Sequence, residues 1–385
     1  MGSQFVRRHQ KDKQQPSTMG GKGRQFTPRA RPLRHLHESR TSNSAPSIAI
    51  AQPTRSEFGY SIDHQLAQRL YQKSGIGHQI EGQFLIDNIE LIFCNWYRHV
   101  PLPVDFDFAK DISMHPTLPY EIVLFDVLRN GGNILRRTAQ QHPDHVQVLH
   151  GSWGLYWNRS LNWRKDQPTA YVMWRHSSES IDYDFLVTWI NQCKKRDAEA
   201  VLAVIDDELD VTTYSLQLSQ LSGEHQAPHT LSDDQQTYIR DSVQRMVSTS
   251  KGWYLEQQNQ QWPLPSFGIV QLSGRIFSQE EYEFMCDVNK NKKSKRQSLF
   301  AHLKNSGLLL RPGFKFGCCW RAYSGEIEEE HAPFLIPDID VLPSNYESLC
   351  LSIRLSEGVN KRWILPYSSE QDSWEFYAIQ RWNSS

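Results

Sequence analysis

The sequence predicts an α/β (α+β) protein built as a tandem repeat, each copy a small amino-terminal α/β module followed by a mixed-sheet domain flanked by helices. Three observations carry this expectation. From Tyr60 onward, strand-like apolar runs alternate with segments of helical periodicity. The order of elements restarts after a polar stretch at residues 217–248. Finally, Ala200–Leu216 aligns without a gap onto Trp363–Ile379, placing Tyr214 on Tyr377 and two strands on two strands.

Taken in order, residues 1–56 are rich in Arg, Lys, Gln, Ser and Pro, with Asp12 and Glu38 the only acids up to Arg40. Such a segment holds too few apolar groups to bury a core and reads as a disordered basic tail suited to phosphate contacts. Residues 57–112 form the first small module: a helix over Asp63–Lys73, a turn at Gly75 and Gly77, a strand over Gly82–Ile86 and a helix from Asn88. Residues 113–220 form the first mixed-sheet domain. Its helix Leu118–Asn130 stops at Gly131-Gly132, where a helix-ending glycine belongs. Strands follow at Trp153–Trp157, Ala170–Trp174 and Ala200–Val204, with a crossover helix over Tyr183–Lys195.

A linker, partly helical, spans 221–248. The second module (249–297) repeats the first with strands Gly252–Leu255 and Gly274–Phe277 and a helix from Gln279. In the last domain (298–385), helix Leu299–Ser306 ahead of Gly307 echoes the one stopped at Gly131. The pattern also aligns Trp153-Gly154-Leu155-Tyr156 with Trp320-Arg321-Ala322-Tyr323, and Ala170–Met173 with Ala332–Leu335.

Composition excludes some classes. Lys+Arg 42 against Asp+Glu 43 gives a net charge of -1, so a polyanion must be met by local basic patches. No run approaches the roughly 20 apolar residues of a membrane span, and the basic start lacks an apolar core like that of a secretion signal. The chain therefore reads as soluble and cytoplasmic. Its six cysteines form no Cys-x-x-Cys pair, and the adjacent Cys318 and Cys319 are poorly placed to bridge, so reduced thiols are expected.

One ordered set points to chemistry: Arg311-Pro312-Gly313-Phe314-Lys315-Phe316-Gly317, then Tyr323, His331-Ala332, Ile353-Arg354, and Val359-Asn360-Lys361-Arg362. Singly, a tyrosine, a histidine and a strand-edge lysine are more often structural than catalytic. The set in this order resembles the carboxyl-terminal catalytic domain of tRNA-splicing endonucleases. The looser echo over residues 60–216 resembles the degenerate half of the fused archaeal two-repeat, homodimeric enzymes. The mixed-sheet domains are thus expected to be nuclease-like, the first silent and the second catalytic.

The chemistry is coherent on its own terms. RNA carries its nucleophile, the 2'-hydroxyl, so cleavage needs a base, an acid for the leaving 5'-oxygen and a cation for the charged phosphorane, with no metal or other cofactor. Tyr323 is the candidate base, His331 the acid and Lys361 the stabiliser, giving a 2',3'-cyclic phosphate and a 5'-hydroxyl. A phenol acting as base needs cations beside it. In the first copy the alignment puts Tyr156 at the tyrosine position, Thr169 at that of His331 and Ala198 at that of Lys361.

The resemblance further implies that Arg354 and Arg381, with Trp382 beside the latter, bind RNA by stacking on a bulge base, and that precursor tRNA is the substrate. It also implies that the acidic loop Asp206, Asp207, Glu208 and Asp210 docks on a partner subunit, giving a homodimer. The sequence departs from the family pattern at Asn360, where a basic residue is common, and at Phe334, where Tyr is common. Glu326, Glu328, Glu329 and Glu330 crowd the loop entering His331 and repel phosphate. The competing readings are a non-catalytic accessory subunit, a plain RNA-binding protein, and a magnesium-dependent nuclease built on Pro337-Asp338. The last lacks its second half, because Glu375 is followed by Phe376 and Tyr377.

Overall fold

The structure is a computed structural model that describes residues 34–47, 49–80, 82–256, 261–286, 294–327, 331–370 and 373–383. Tail residues 1–33 and the loop acids Glu328, Glu329 and Glu330 lie outside the described residues. The fold is mixed α and β, as expected.

The first half runs β1 (Thr54–Ser56), β2 (Gly59–Ser61), α1 (His64–Ser74), β3 (His78–Ile80), β4 (Gln83–Ile86), α2 (Asn88–Arg98), α3 (Phe108–Met114), α4 (Leu118–Leu128), β5 (Ile134–Arg137), β6 (Gly154–Trp157), β7 (Ala170–His176), α5 (Tyr183–Lys194), β8 (Glu199–Ile205) and β9 (Val211–Ser219). The second runs α6 (Asp233–Gln244), β10 (Val247–Thr249), β11 (Gly252–Glu256), β12 (Ile269–Gln271), β13 (Gly274–Phe277), α7 (Gln279–Cys286), α8 (Lys295–Asn305), β14 (Leu309–Pro312), β15 (Trp320–Tyr323), β16 (Phe334–Ile336), α9 (Tyr346–Gly358), β17 (Arg362–Glu370) and β18 (Ser373–Arg381).

Local chemistry sets the helix starts. Asp63 accepts from the Leu66 amide ahead of α1, and Asp87 with Glu90 forms a reciprocal capping box at α2. Glu90 also accepts from the amide of Gly77 and the side chain of Gln140, while Arg136 donates to the Gly77 carbonyl. The second half repeats this lock, since Glu281 accepts from Gly268 and Ser278 and Arg311 donates to the Gly268 carbonyl. Arg136 and Arg311 thus each fasten a small module to the sheet domain behind it, while Glu90 and Glu281 brace the module's own turns.

The small sheets have the strand orders β1-β2-β4-β3 and β10-β11-β13-β12. The large sheet has ten strands, ordered β14-β15-β16-β17-β18-β9-β8-β7-β6-β5. Only the β7/β8 and β16/β17 pairs in it are parallel. Parallel neighbours need a long crossover, which α5 and α9 provide. Antiparallel pairing of β18 with β9 joins the halves, with Ile379 opposite Leu216. Alternation along β8 sends Val201, Ala203 and Ile205 to the face covered by α2 and α4, and Ala200, Leu202 and Val204 to the other. That other face carries α5 and α9 in one apolar layer crossing the seam, with Trp189, Ile190, Leu349 and Ile353 buried in it.

Strand register corrects the alignment by one residue in β6 and by two in β7, where Ala170 falls on Phe334 rather than on Ala332. The pairing Ala200↔Leu216 recurs as Trp363↔Ile379, which leaves Ala198 opposite Lys361 in the two halves. However, Ile134 pairs with Trp157 whereas Leu309 pairs with Tyr323, and Arg136 and Arg311 make the matching bonds described above. Trp157, not Tyr156, is therefore the counterpart of Tyr323. The Glu199 amide donates to the Thr169 carbonyl and the Arg362 amide to that of Pro333, so Thr169 matches Pro333 and Gln167 falls opposite His331. Two adjacent aromatics hide a one-residue slip in sequence, but such a slip reverses the face each side chain points to. Tyr156 lies in the α2/α4 core and Trp157 in the α5/α9 core.

The expected tail also differs. Arg40 donates its amide to the Trp96 carbonyl, and the Trp96 indole donates to the carbonyl of His35. Arg34 and Arg40 both bind the buried Asp126 carboxylate, at 3.1 and 2.7 Å. These two cations are committed to the fold. Helix α8 begins four residues before the expected Leu299, capped by Ser294. Helix α4 ends at Leu128, and a short turn precedes the left-handed Gly131 and Gly132.

Candidate active site

The end of β15, the entrance to β16 and the start of β17 meet at one end of the second half-sheet. Tyr323 closes β15 and is buried against Leu309 and Ala332. Lys361 immediately precedes β17, after Asn360 takes a left-handed turn at φ 56°. Its ammonium donates to the Ala332 carbonyl at 2.7 Å and lies 5.7 Å from the centre of the Phe316 ring. An ammonium has three donors and this bond uses one. His331, one residue before Ala332, is exposed.

Arg321 completes the cluster. Its guanidinium lies 5.7 Å from the Phe316 ring centre and 5.9 Å from that of Tyr323. Partial burial pulls the Lys361 pKa down, and the Arg321 charge lowers it further, against a smaller opposing influence of Cys318. Burial pushes the Cys318 thiol up to about 11, so it is a poor nucleophile beside this site. The motif loop is built for the approach: residues 314–316 make one tight turn, closed by Gly317 at φ 65°, which brings Phe316 under both cations.

Tyr323 and Lys361 thus both meet Ala332, Arg321 lies 5.7 and 5.9 Å from the Phe316 and Tyr323 ring centres, and His331 stands exposed next to Ala332. Sequence reasoning missed Arg321 and assigned no role to Phe316. The only signal was their place in and just after the glycine-bounded motif. Arg311 acts differently from the motif reading, since it is a largely buried tie to the Gly268 carbonyl.

The remaining residues are dispersed. Arg354 is exposed on α9, while Arg381 ends β18 beside the start of β17; both lie within electrostatic reach of Cys350. Trp382 donates its indole N–H to Glu199 at 2.8 Å and meets Tyr156 edge-on at 5.0 Å. Arg381 and Trp382 border a recess of about 380 Å³ together with Tyr156, Asn158, Thr169 and Glu199. In the acidic loop, Asp206 accepts from the amides of Glu208 and Asp210 and so closes its own turn. Asp207 projects into solvent, 3.3 Å from His176. Among the described residues no group of three or more His, Cys, Asp or Glu could hold a metal ion, and no helix is long and apolar enough to cross a membrane.

Residues 294–376, which hold every element of this cluster, match the family model described as tRNA intron endonuclease, catalytic C-terminal domain. The carboxyl-terminal segment is thus similar to the catalytic domain of tRNA intron endonucleases. The chain is also similar to proteins named tRNA-splicing endonuclease. That of Methanosarcina acetivorans is 26% identical over 193 residues, covering 44% of this chain and 55% of the relative. That of Methanosarcina barkeri is 24% identical over 203 residues (47% and 58%), and that of Methanococcoides burtonii 26% over 193 (43% and 54%). The aligned part spans about half the length of each curated relative. The Tyr323–Lys361 cluster lies inside the matched segment.

Proposed function

We propose that the chain is a tRNA-splicing endonuclease that cuts precursor tRNA at intron–exon junctions of bulge-helix-bulge shape without using a metal ion. The observation that carries this reading is the meeting of Tyr323 and Lys361 at Ala332, next to His331, inside the family-matched segment. Tyr323 takes the proton of the 2'-hydroxyl, whose oxygen attacks the adjacent phosphorus. His331 protonates the departing 5'-oxygen, and Lys361 neutralises charge on the phosphorane. The products are a 2',3'-cyclic phosphate and a 5'-hydroxyl. Arg321 adds a second cation over the tyrosine. Arg354, Arg381 and Trp382 hold the RNA.

The first half is silent in this reading, because Trp157, Gln167 and Ala198 supply neither a base, an acid nor a cation. We also propose that two chains assemble as a homodimer through the Asp206–Asp210 loop. The deciding experiment incubates purified full-length protein with an intron-containing precursor tRNA in excess EDTA and identifies the end groups. Cyclic phosphate and 5'-hydroxyl ends are expected. Uncut RNA that is nevertheless bound transfers the assignment to an accessory subunit, and cleavage that requires added magnesium overturns the mechanism.

A further inference from the structure

The segment joining the two halves does more than span them. After β9, Leu221 is buried in the core of the second half, and residues 223–225 then run between two turns of that half. The Gly223 amide donates to the Ser306 carbonyl at 2.9 Å, and the His225 amide to that of Gly307 at 3.1 Å. Between them, the Glu224 amide donates to Ser324 at 2.8 Å. The His225 ring reaches the carbonyl of Gly325 from Nε2 at 2.9 Å, while its Nδ1 lies 3.7 Å from the Glu326 carboxylate. Since a carbonyl only accepts, the ring hydrogen sits on Nε2. The His225 side chain is 7% exposed, and a Cβ on Gly223 would overlap the Gly307 carbonyl.

Ser324, Gly325 and Glu326 directly follow Tyr323. The β14/β15 ladder ends at Leu309↔Tyr323 and the β15/β16 ladder at Ala322↔Phe334. The sheet therefore fixes the chain only as far as Tyr323, and the linker takes over beyond it. We propose that His225 is a positioning residue, clamping the turn after Tyr323 so that the phenol is held where the attacking hydroxyl arrives; this rests on the assignment of Tyr323 as base. The linker of the fused chain thereby tunes the active half directly. Displacement of a reacting group by about 1 Å costs up to 10²-fold in rate, so a loosened strand end lowers the chemical step with little effect on binding.

The test uses the full chain. His225→Ala is expected to slow single-turnover cleavage of precursor tRNA roughly tenfold, to leave RNA affinity unchanged, and to speed amide hydrogen exchange at residues 323–327. His225→Gln, whose amide can donate to the same carbonyl, should restore most of both, whereas the shorter His225→Asn should resemble Ala. If His225→Ala does not fold, the Gln and Asn pair makes the same comparison. Unchanged exchange at 323–327 in the Asn or Ala variant overturns the clamp, and so does wild-type cleavage by a variant whose turn has loosened. A wild-type chain that leaves the RNA uncut overturns the splicing reading instead, and the clamp then stands or falls on the exchange rates.

Discussion

At the scale of single residues, the cluster makes different demands on each side chain. His331→Ala and Lys361→Ala should each reduce single-turnover cleavage by about 10²- to 10⁴-fold in EDTA, the range for loss of an acid or an electrostatic group. Tyr323→Phe removes the proposed base and should do the same. Its matched control is Trp157→Phe, and equal effects at the two positions would place the chemistry in the wrong half. Lys361 also predicts a pH dependence. Burial and the Arg321 charge depress its pKa, so it loses its proton, and with it the stabilising charge, at a lower pH than an ordinary lysine. The alkaline limb of the pH–rate profile should therefore begin early, and Arg321→Gln should move it to higher pH. A limb that stays in place in Arg321→Gln would separate Lys361 from the rate.

At the scale of elements, polar ties between segments distant in sequence hold the modules. Asp126, at the end of α4, accepts from Arg34, Arg40 and the Tyr97 hydroxyl. Asp126→Ala leaves three donors without their carboxylate and should cost about 2 kcal/mol in urea denaturation, with faster proteolysis of residues 34–47. A second tie lies in α8, where buried Lys304 donates to the Ser266 carbonyl and burial lowers its pKa from 10.5 to about 7. The unfolded chain binds this proton more tightly, so the contribution is complete above about pH 10.5 and is lost as pH falls towards 7. Stability of wild type should rise across that window relative to Lys304→Met, as measured by parallel denaturant titrations. Equal slopes for the two proteins would refute the assignment.

At the scale of the whole molecule, the halves meet edge to edge through β9 and β18 in a pairing that is symmetric about Leu216↔Ile379. Both residues are buried in the layer shared by α5 and α9. Leu216→Asp would bury a carboxylate without a partner and should destabilise the chain by at least about 3 kcal/mol, read from the unfolding midpoint. The proposed homodimer requires a different surface. Changing Asp207 and Asp210 to Asn should shift sedimentation towards monomer while the fold persists, because the turn itself is closed by Asp206. A monomeric wild-type chain with full activity would remove the dimer from the mechanism.

The sequence alone determined the longer helices and the central strands, the restart after residue 220, the agreement of β8 and β9 with β17 and β18, and the order of the motif from Arg311 to Lys361. These depend on local signals: apolar period, helix caps, glycines in left-handed turns, and residue types in a fixed order. The short strands β1, β2, β3, β5, β10 and β12 and helix α3 carried too little periodic signal to be read. The tertiary structure decided what those signals do not encode. It chose Trp157 over Tyr156 as the counterpart of Tyr323, since register is set by cross-strand hydrogen bonds that two adjacent aromatics satisfy equally well on paper. It tied Arg34 and Arg40 to Asp126, brought Arg321 and Phe316 to Lys361, and laid His225 against the turn after Tyr323. Each of these contacts joins residues whose proximity depends on how whole elements pack, so no window of sequence contains both partners together with the reason they meet.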